Sequence, residues 1–197
     1  MKNPTIALDR LNPDKYPNLN SDNKIRLIMV GSFSSRKNQK FTIDVLYELC
    51  KINPDSMLTL IGYPRSSKET YLDEMKQKIA DYHLANNVQF LPQDTDIPLA
   101  MSKSTVLMMP SIQEGLPNVA LEAQAMGLPC FISTDVSKEC DCGLCSFLPL
   151  DKGAEYWAKT LVDYVKKNGF EKHYPDMSEW DNKKICKDYL EYYRGNK

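Results

Sequence analysis

Five short, nearly continuous apolar runs constrain this 197-residue chain most: Ile25 to Val30, Met57 to Ile61, Val88 to Leu91, Thr105 to Met109 and Cys130 to Ser133. Each is too short for a buried helix, and none alternates strictly between apolar and polar residues as a half-exposed strand does. They read as strands covered on both faces, the mark of a parallel sheet. Between them lie helical stretches: about Gln39 to Ile52, about Thr70 to His83, a short turn near Ile97 to Ser102, and a helix entered through Pro117 and stopped at Gly127. A weaker sixth strand near Ser146-Phe147-Leu148 and a helix from about Ala154 to Asn168 complete the pattern. The alternation predicts a Rossmann-like, doubly wound α/β domain of about six strands with helices on both faces.

Such sheets bind ligands at the carboxyl ends of their strands. The loop after Gly31 and the loop holding Glu114 both leave strands there, so they line one crevice. The second of these loops opens the most informative stretch of the chain, Pro110 to Thr134. In its helix, Val119, Ala120, Leu121, Ala123, Ala125 and Met126 cover most of the circumference, as in a helix packed on nearly all sides. One carboxylate, Glu122, interrupts them one turn after Asn118, and a second, Glu114, precedes the helix. A buried carboxylate is costly unless donors meet it. The amides of Asn118 and Val119 fall in the first turn, where unsatisfied N–H groups and the helix dipole favour a phosphate. The stretch therefore offers an anion site flanked by two acceptors, suited to a phosphorylated sugar or nucleotide.

The run E-G-L-P-N-V-A-L-E-A-Q-A-M-G-L-P resembles the signature of the GT-B-fold retaining glycosyltransferases of family 4, glycosyl transferases group 1, which includes capsule, exopolysaccharide and lipopolysaccharide enzymes. There the motif lies in the C-terminal, nucleotide-sugar-binding domain. The resemblance implies that Glu122 takes the ribose hydroxyls and that Glu114 approaches the donor sugar. It implies too that the backbone of Gly115, Leu116, Pro117, Asn118 and Val119 holds the diphosphate. Lys37, in Ser34-Ser35-Arg36-Lys37-Asn38, fits the family's loop ending in Lys-Asn or Lys-Gly, and a lysine there neutralises a departing diphosphate. Lys37 and Glu114 are thus the implied catalytic pair. One position departs from the pattern: where the family usually carries arginine directly after Gly31, this chain has Ser32, leaving Arg36 as the candidate substitute. At Phe90-Leu91-Pro92 the family cradles the nucleobase with main-chain atoms, which makes Leu91 a donor contact. Tyr63, in Gly62-Tyr63-Pro64-Arg65, sits at the crevice rim within reach of a base or in a simple turn.

Residues 1–24 are rich in Asn, Pro, Asp and Lys, lack apolar periodicity, and read as a lead-in or interdomain linker that forms no core. Residues 25–170 make the nucleotide-sugar-binding domain. Residues 171–197 end in a helix from Trp180 to Tyr193, with Trp180, Ile185, Tyr189 and Tyr193 at helical spacing, packing on that domain. The resemblance implies a second, N-terminal acceptor-binding domain or subunit that these residues do not contain.

With 25 basic and 26 acidic side chains, the net charge of −1 gives no electrostatic reason to expect nucleic acid. No apolar run reaches transmembrane length and no signal peptide opens the sequence, so a cytoplasmic protein is expected; the resemblance allows peripheral membrane association of a full enzyme. The six cysteines then read as thiols. Cys140, Cys142 and Cys145 invite comparison with a zinc or iron–sulfur site, but no fourth ligand is near in sequence, and reduced cysteines are the simpler reading. No metal or cofactor is expected beyond the donor, a UDP- or GDP-sugar. No Gly-x-Ser-x-Gly elbow, P-loop or dinucleotide fingerprint is present, which counts against hydrolase, kinase and dehydrogenase. The expected function is donor binding for transfer of a sugar to a polysaccharide or lipid-linked acceptor. The alternatives are a non-catalytic scaffold or regulatory module keeping the fold, and a nucleotide-sugar epimerase, which also needs two domains.

Overall fold

A computed structural model describes residues 6–20, 22–64 and 70–194. Six parallel strands, β1 (Arg26–Val30), β2 (Met57–Ile61), β3 (Val88–Leu91), β4 (Val106–Met109), β5 (Cys130–Ser133) and β6 (Cys145–Leu148), form one sheet in the order 3-2-1-4-5-6. Six helices connect and cover it: α1 (Gln39–Ile52), α2 (Tyr71–Asp81), α3 (Ile97–Ser102), α4 (Asn118–Ala125), α5 (Gly153–Asn168) and α6 (Asn182–Tyr193). The expected Rossmann-like, doubly wound architecture is what the chain adopts.

Two apolar layers form because the strands bury side chains on both faces. On one face Leu27, Met29, Leu58 and Leu60 meet Ile43, Leu46 and Leu49 of α1, Met75 of α2 and Trp157 of α5. On the other, Ile28, Leu107, Cys130 and Ile132 meet Met101 of α3 and Ala120, Leu121 and Ala123 of α4. Strands β4 and β5 are buried at every position, whereas the edge strand β3 is not, and Phe90 is half-exposed with its ring edge-on to Phe33.

The lead-in corrects one expectation. Ile6 and Leu11 are buried in the second layer, and the buried Asn20 donates to Thr105 Oγ1 at 2.9 Å and to the Lys24 carbonyl at 3.0 Å. Two apolar residues separated by polar ones leave no periodic signal, yet they dock by filling gaps beside α4. The final helix is also shorter than expected. It starts at Asn182, because the Asp181 side chain caps it by accepting from the Lys183 amide. Trp180 sits in the preceding single turn, buried, while Tyr193 is 80% exposed and outside the core. Smaller shifts affect β1 and β4, which begin one residue after Ile25 and Thr105, and α2, which ends at Asp81 before His83 adopts a left-handed φ of 56°.

Candidate functional site: the crevice between β1 and β4

Strands β1 and β4 are neighbours, but their outgoing chains part: α1 packs on one face of the sheet and α4 on the other. That divergence opens a crevice at their carboxyl ends. Gly31 and Gly62 end β1 and β2 side by side, with φ of 145° and 157°. The ladder continues past the strands through Gly31 N–H to Ile61 C=O at 2.9 Å and Phe33 N–H to Tyr63 C=O at 2.8 Å.

The loop 32–38 is shaped by two residues. Gln39, fully buried, donates from Nε2 to the Ser32 carbonyl at 3.0 Å and accepts from the Ser34 amide at 3.3 Å. Asn38 holds a left-handed φ of 62° and donates from Nδ2 to the Pro110 carbonyl at 3.2 Å. A second staple, Ile112 N–H to Arg36 C=O at 2.9 Å, joins the β1 loop to the β4 loop. These bonds carry Lys37 to Glu114, with Lys37 Nζ 2.5 Å from Glu114 Oε1 and both side chains largely buried. The Lys37 ammonium is the partner of Oε1, whereas Ser111 Oγ, in the same loop, is buried with no hydrogen-bond partner among the described residues.

At the entrance of α4, Pro117 occupies the cap position with no side-chain hydrogen bond to the first turn, whose amides at Asn118 and Val119 remain available to an anion. Pro117 therefore lies just outside the helix rather than at its first residue, and Gly127 terminates the far end with a left-handed φ of 64°. One turn in, Glu122 is half-buried, and its side chain makes no hydrogen bond or ion pair with the described residues. Burial raises its pKa above the usual carboxyl value, with Arg10 partly offsetting the shift. Glu122 lines a cavity of about 240 Å³ together with Arg10 and Leu11 of the lead-in, Ile97 and Pro98 of α3, and Asn182 of α6.

Residues 12–141 match the family described as Glycosyl transferases group 1, about two thirds of the sequence. The chain belongs to that family. Among curated relatives, the "Putative glycosyltransferase EpsF" of Bacillus subtilis is 33% identical over 141 residues, covering 70% of this chain and 35% of the relative. The UDP-Gal:alpha-D-GlcNAc-diphosphoundecaprenol alpha-1,3-galactosyltransferase of Escherichia coli is 30% identical over 120 residues, covering 60% of this chain and 30% of the enzyme. This chain thus spans about a third of the length of these relatives. The fold superposes on Anabaena Alr3699/HepE, solved in complex with UDP-glucose, with a TM-score of 0.77 and 19% identity, over 96% of this chain and 56% of that one.

Against the glycosyltransferase pattern, Lys37 and Glu114 come together and Gly31 lies beneath them: a Cβ on Gly31 would meet the Lys37 side chain at 3.6 Å. The α4 entrance follows β4, and Glu122, one turn further along, lines the cavity it shares with Arg10 and Asn182. Arg36 and Gly115 are exposed at the rim, and Ser32 offers its carbonyl to Gln39 rather than a cation to the crevice. The Leu91 carbonyl accepts from the Gly62 amide at 3.2 Å, and its side chain faces a separate groove beneath α3, lined by Thr59, Gln89 and Leu99. Tyr63 is half-exposed, and Arg65 lies outside the described residues.

The cysteine loop is organised by a glutamine. Gln124, fully buried on α4, donates to the Cys140 carbonyl at 2.7 Å and accepts from the Cys142 amide at 2.7 Å. Cys140 donates from Sγ to the Ser137 carbonyl, and neighbouring thiols with burial push Cys140 and Cys145 well above the usual thiol range. Among the described residues no group of three His, Cys, Asp or Glu has an arrangement that holds a metal ion. Sequence reasoning named Asn38 only as the end of the loop motif and missed Gln39 and Gln124, because a polar residue beside a helix start, or within an apolar helix, looks like ordinary surface until the loop it holds is known.

Proposed function

We propose that this chain is the donor-binding half of a retaining glycosyltransferase, taking a UDP- or GDP-sugar and delivering the sugar to a polysaccharide or lipid-linked acceptor held by an N-terminal domain or subunit. The observation that carries the reading is the Lys37–Glu114 contact at 2.5 Å, made across two loops beside an uncapped helix entrance. Two opposite charges hold each other there until a ligand with both signs of demand divides them. The diphosphate takes the Lys37 ammonium and the α4 amides, and the sugar hydroxyls take the Glu114 carboxylate that Lys37 then releases. Glu122, unpartnered one turn below, accepts from the ribose hydroxyls. As the glycosidic bond to phosphate breaks, negative charge grows on the leaving oxygen, and a fixed cation and oriented amides lower that barrier most where water is excluded. The HepE neighbour crystallised with UDP-glucose supports this class of donor.

In this reading Lys37 and the helix amides do the work a divalent ion does in other transferases. A strict requirement for a divalent ion in sugar transfer by the complete enzyme overturns that part. The principal test is calorimetric titration of this chain with UDP, GDP and their common sugar conjugates, beside Glu122→Ala. Binding of one nucleotide, abolished by the substitution, is the expected result. No binding at millimolar ligand by folded protein overturns the proposal in favour of a fold kept as a scaffold, the reading that Ser32 in place of the family's arginine would favour.

A further inference from the structure

The cysteine loop beyond β5 carries a chemistry that the donor crevice does not use. Cys130 and Cys145 are register partners on the parallel neighbours β5 and β6, so their side chains leave the sheet on the same face. Both pack in the layer that holds α4, and Cys140 joins them there. Thiol–thiol hydrogen bonds link Cys145 to Cys140 and to Cys130, which places Cys145 between the other two sulfurs. Of the three, Cys130 and Cys140 are buried and Cys145 is half-buried.

The backbone of the loop is fixed without help from these sulfurs. Gln124 accepts from the Leu144 amide at 3.3 Å as well as from the Cys142 amide, while its Nε2 holds the Cys140 carbonyl. Asp141 Oδ1 accepts from the Gly143 amide at 2.8 Å and from the Cys145 amide at 3.2 Å, and Gly143 takes the turn with a φ of 102°. The chain between Cys140 and Cys145 is therefore folded back on itself before any bond joins its ends, and little chain entropy is left to oppose closure. Cys130 is the poorer partner, since its Sγ turns to the Leu128 and Ala120 carbonyls at 3.4 and 3.7 Å.

We propose that Cys140 and Cys145 are a reversible disulfide pair whose state is passed to the loop of Glu114. In the reduced protein Cys140 Sγ donates to the Ser137 carbonyl at 3.2 Å, and the Ser137 amide donates to the Glu114 carbonyl at 3.4 Å, beside an isolated bridge between Glu114 and Val136. Oxidation removes the S–H and the first of these bonds, so the turn that holds the Glu114 backbone is released at one point. A small disulfide such as oxidised glutathione is the oxidant. The Cys145 sulfur, its proton lost to water, attacks one sulfur of the reagent, forming a mixed disulfide and expelling one glutathione thiolate. Cys140 then gives up its proton and displaces the second, so that one S–S bond forms in the protein, one breaks in the reagent, and two electrons and two protons end on two glutathione thiols. Burial and neighbouring thiols keep both cysteines neutral, which slows the exchange; the reduced state gains nothing from a stabilised thiolate, which favours the disulfide at equilibrium.

The test equilibrates the chain and its variants with oxidised glutathione, quenches in acid and reads intact and alkylated masses, with thermal melting to confirm folding. The parent is expected to lose two hydrogens and to take up two fewer alkyl groups, and Cys130→Ser and Cys142→Ser to do the same. Cys140→Ser should instead retain a glutathionyl group on Cys145. In hydrogen exchange read by mass, the segment carrying the Ser137 amide should exchange about fivefold faster in the oxidised parent, the effect of one lost hydrogen bond, and unchanged in Cys145→Ser given the same treatment. A parent that stays fully reduced overturns the pair, as does a bond lost in Cys130→Ser or Cys142→Ser. A disulfide that forms without the change in exchange overturns the link to the Glu114 loop. Because Cys145 is half-buried, its variant keeps the question answerable even if Cys140→Ser does not fold.

Discussion

Adding one methyl group at each of the two glycines that end β1 and β2 should give very different results. In Gly62→Ala the new Cβ would lie 2.1 Å from the Gly31 carbonyl oxygen, 2.9 Å from its carbon and 3.3 Å from the Phe33 ring. Two of these neighbours are backbone in the adjacent strand, so they cannot rotate away. In Gly31→Ala the nearest atoms are Lys37 methylenes at 3.6 and 3.9 Å, ordinary van der Waals contact with a flexible chain. Both alanines must hold φ above zero, at 145° and 157°, which costs on the order of 1–3 kcal/mol at either site. The steric overlap adds a further ~2 kcal/mol or more at Gly62 alone, in the range seen for overpacked interiors. Urea unfolding followed by circular dichroism measures the difference: Gly62→Ala should lose at least about 2 kcal/mol more than Gly31→Ala, without a change in m. The displaced Gly31 carbonyl would also shift the loop that carries Lys37, so nucleotide affinity should fall in Gly62→Ala even where it remains folded. Equal costs at the two glycines would refute the close approach of the strand ends on which the crevice is built.

Burial raises the Glu122 pKa, so the native state holds a proton that the unfolded chain releases in the window between the ordinary carboxyl value and the raised one. Stability from this group is complete below that window and lost as pH rises through it. Glu122→Gln should therefore gain about 0.5–1 kcal/mol at pH 7 in a denaturation series and lose the advantage in acid, while binding nucleotide more weakly. Parent affinity for nucleotide should decline on acidification at a higher pH than for an ordinary glutamate, measurable by calorimetry across pH. Gln39→Ala strips the Ser32 carbonyl and Ser34 amide of their side-chain partner; a loss of about 2–4 kcal/mol in urea unfolding, with weaker nucleotide binding, is expected. Trp157→Ala empties a fully buried site and breaks the Nε1 bond to the Pro149 carbonyl at 3.0 Å; thermal unfolding should report a loss of about 3–5 kcal/mol. Alkylation of native protein with a maleimide, read by peptide mass, should modify the exposed Cys186 first and the buried Cys130 and Cys140 last.

The fold was legible because burial on both faces writes itself into consecutive residues: each apolar run became a strand, and α4 declared its entrance at Pro117 and its exit at Gly127. The two acids of the site were legible for a related reason. Glu114 and Glu122 are the only charged residues between Pro110 and Thr134, in a stretch made mostly of apolar and small residues, and a charge in such a place needs a use. Lys37 was singled out through the family's Lys-Asn loop pattern, since a lysine in a polar loop carries no local sign of a partner. Its contact with Glu114 depends on β4 inserting beside β1 instead of following β3, a choice of strand order that no local pattern contains. The lead-in was misread for the opposite reason: Ile6 and Leu11 are too few and too unevenly spaced to signal a core, and their burial comes from the shape of the gap they fill.

By itself, then, the sequence determined which segments are strands and helices and which family's motif the chain carries, and it marked two acids as candidates, since all of these are set by residues near one another along the chain. The tertiary structure alone decided that Lys37 meets Glu114, that Gln39 and Asn38 hold the loop between them, and that Arg10 and Asn182 close the cavity beside Glu122. The Lys37–Glu114 and Asn38–Pro110 contacts exist because β4 lies beside β1, and the cavity beside Glu122 forms because the two flanking segments pack against α3 and α4 on one face of the sheet.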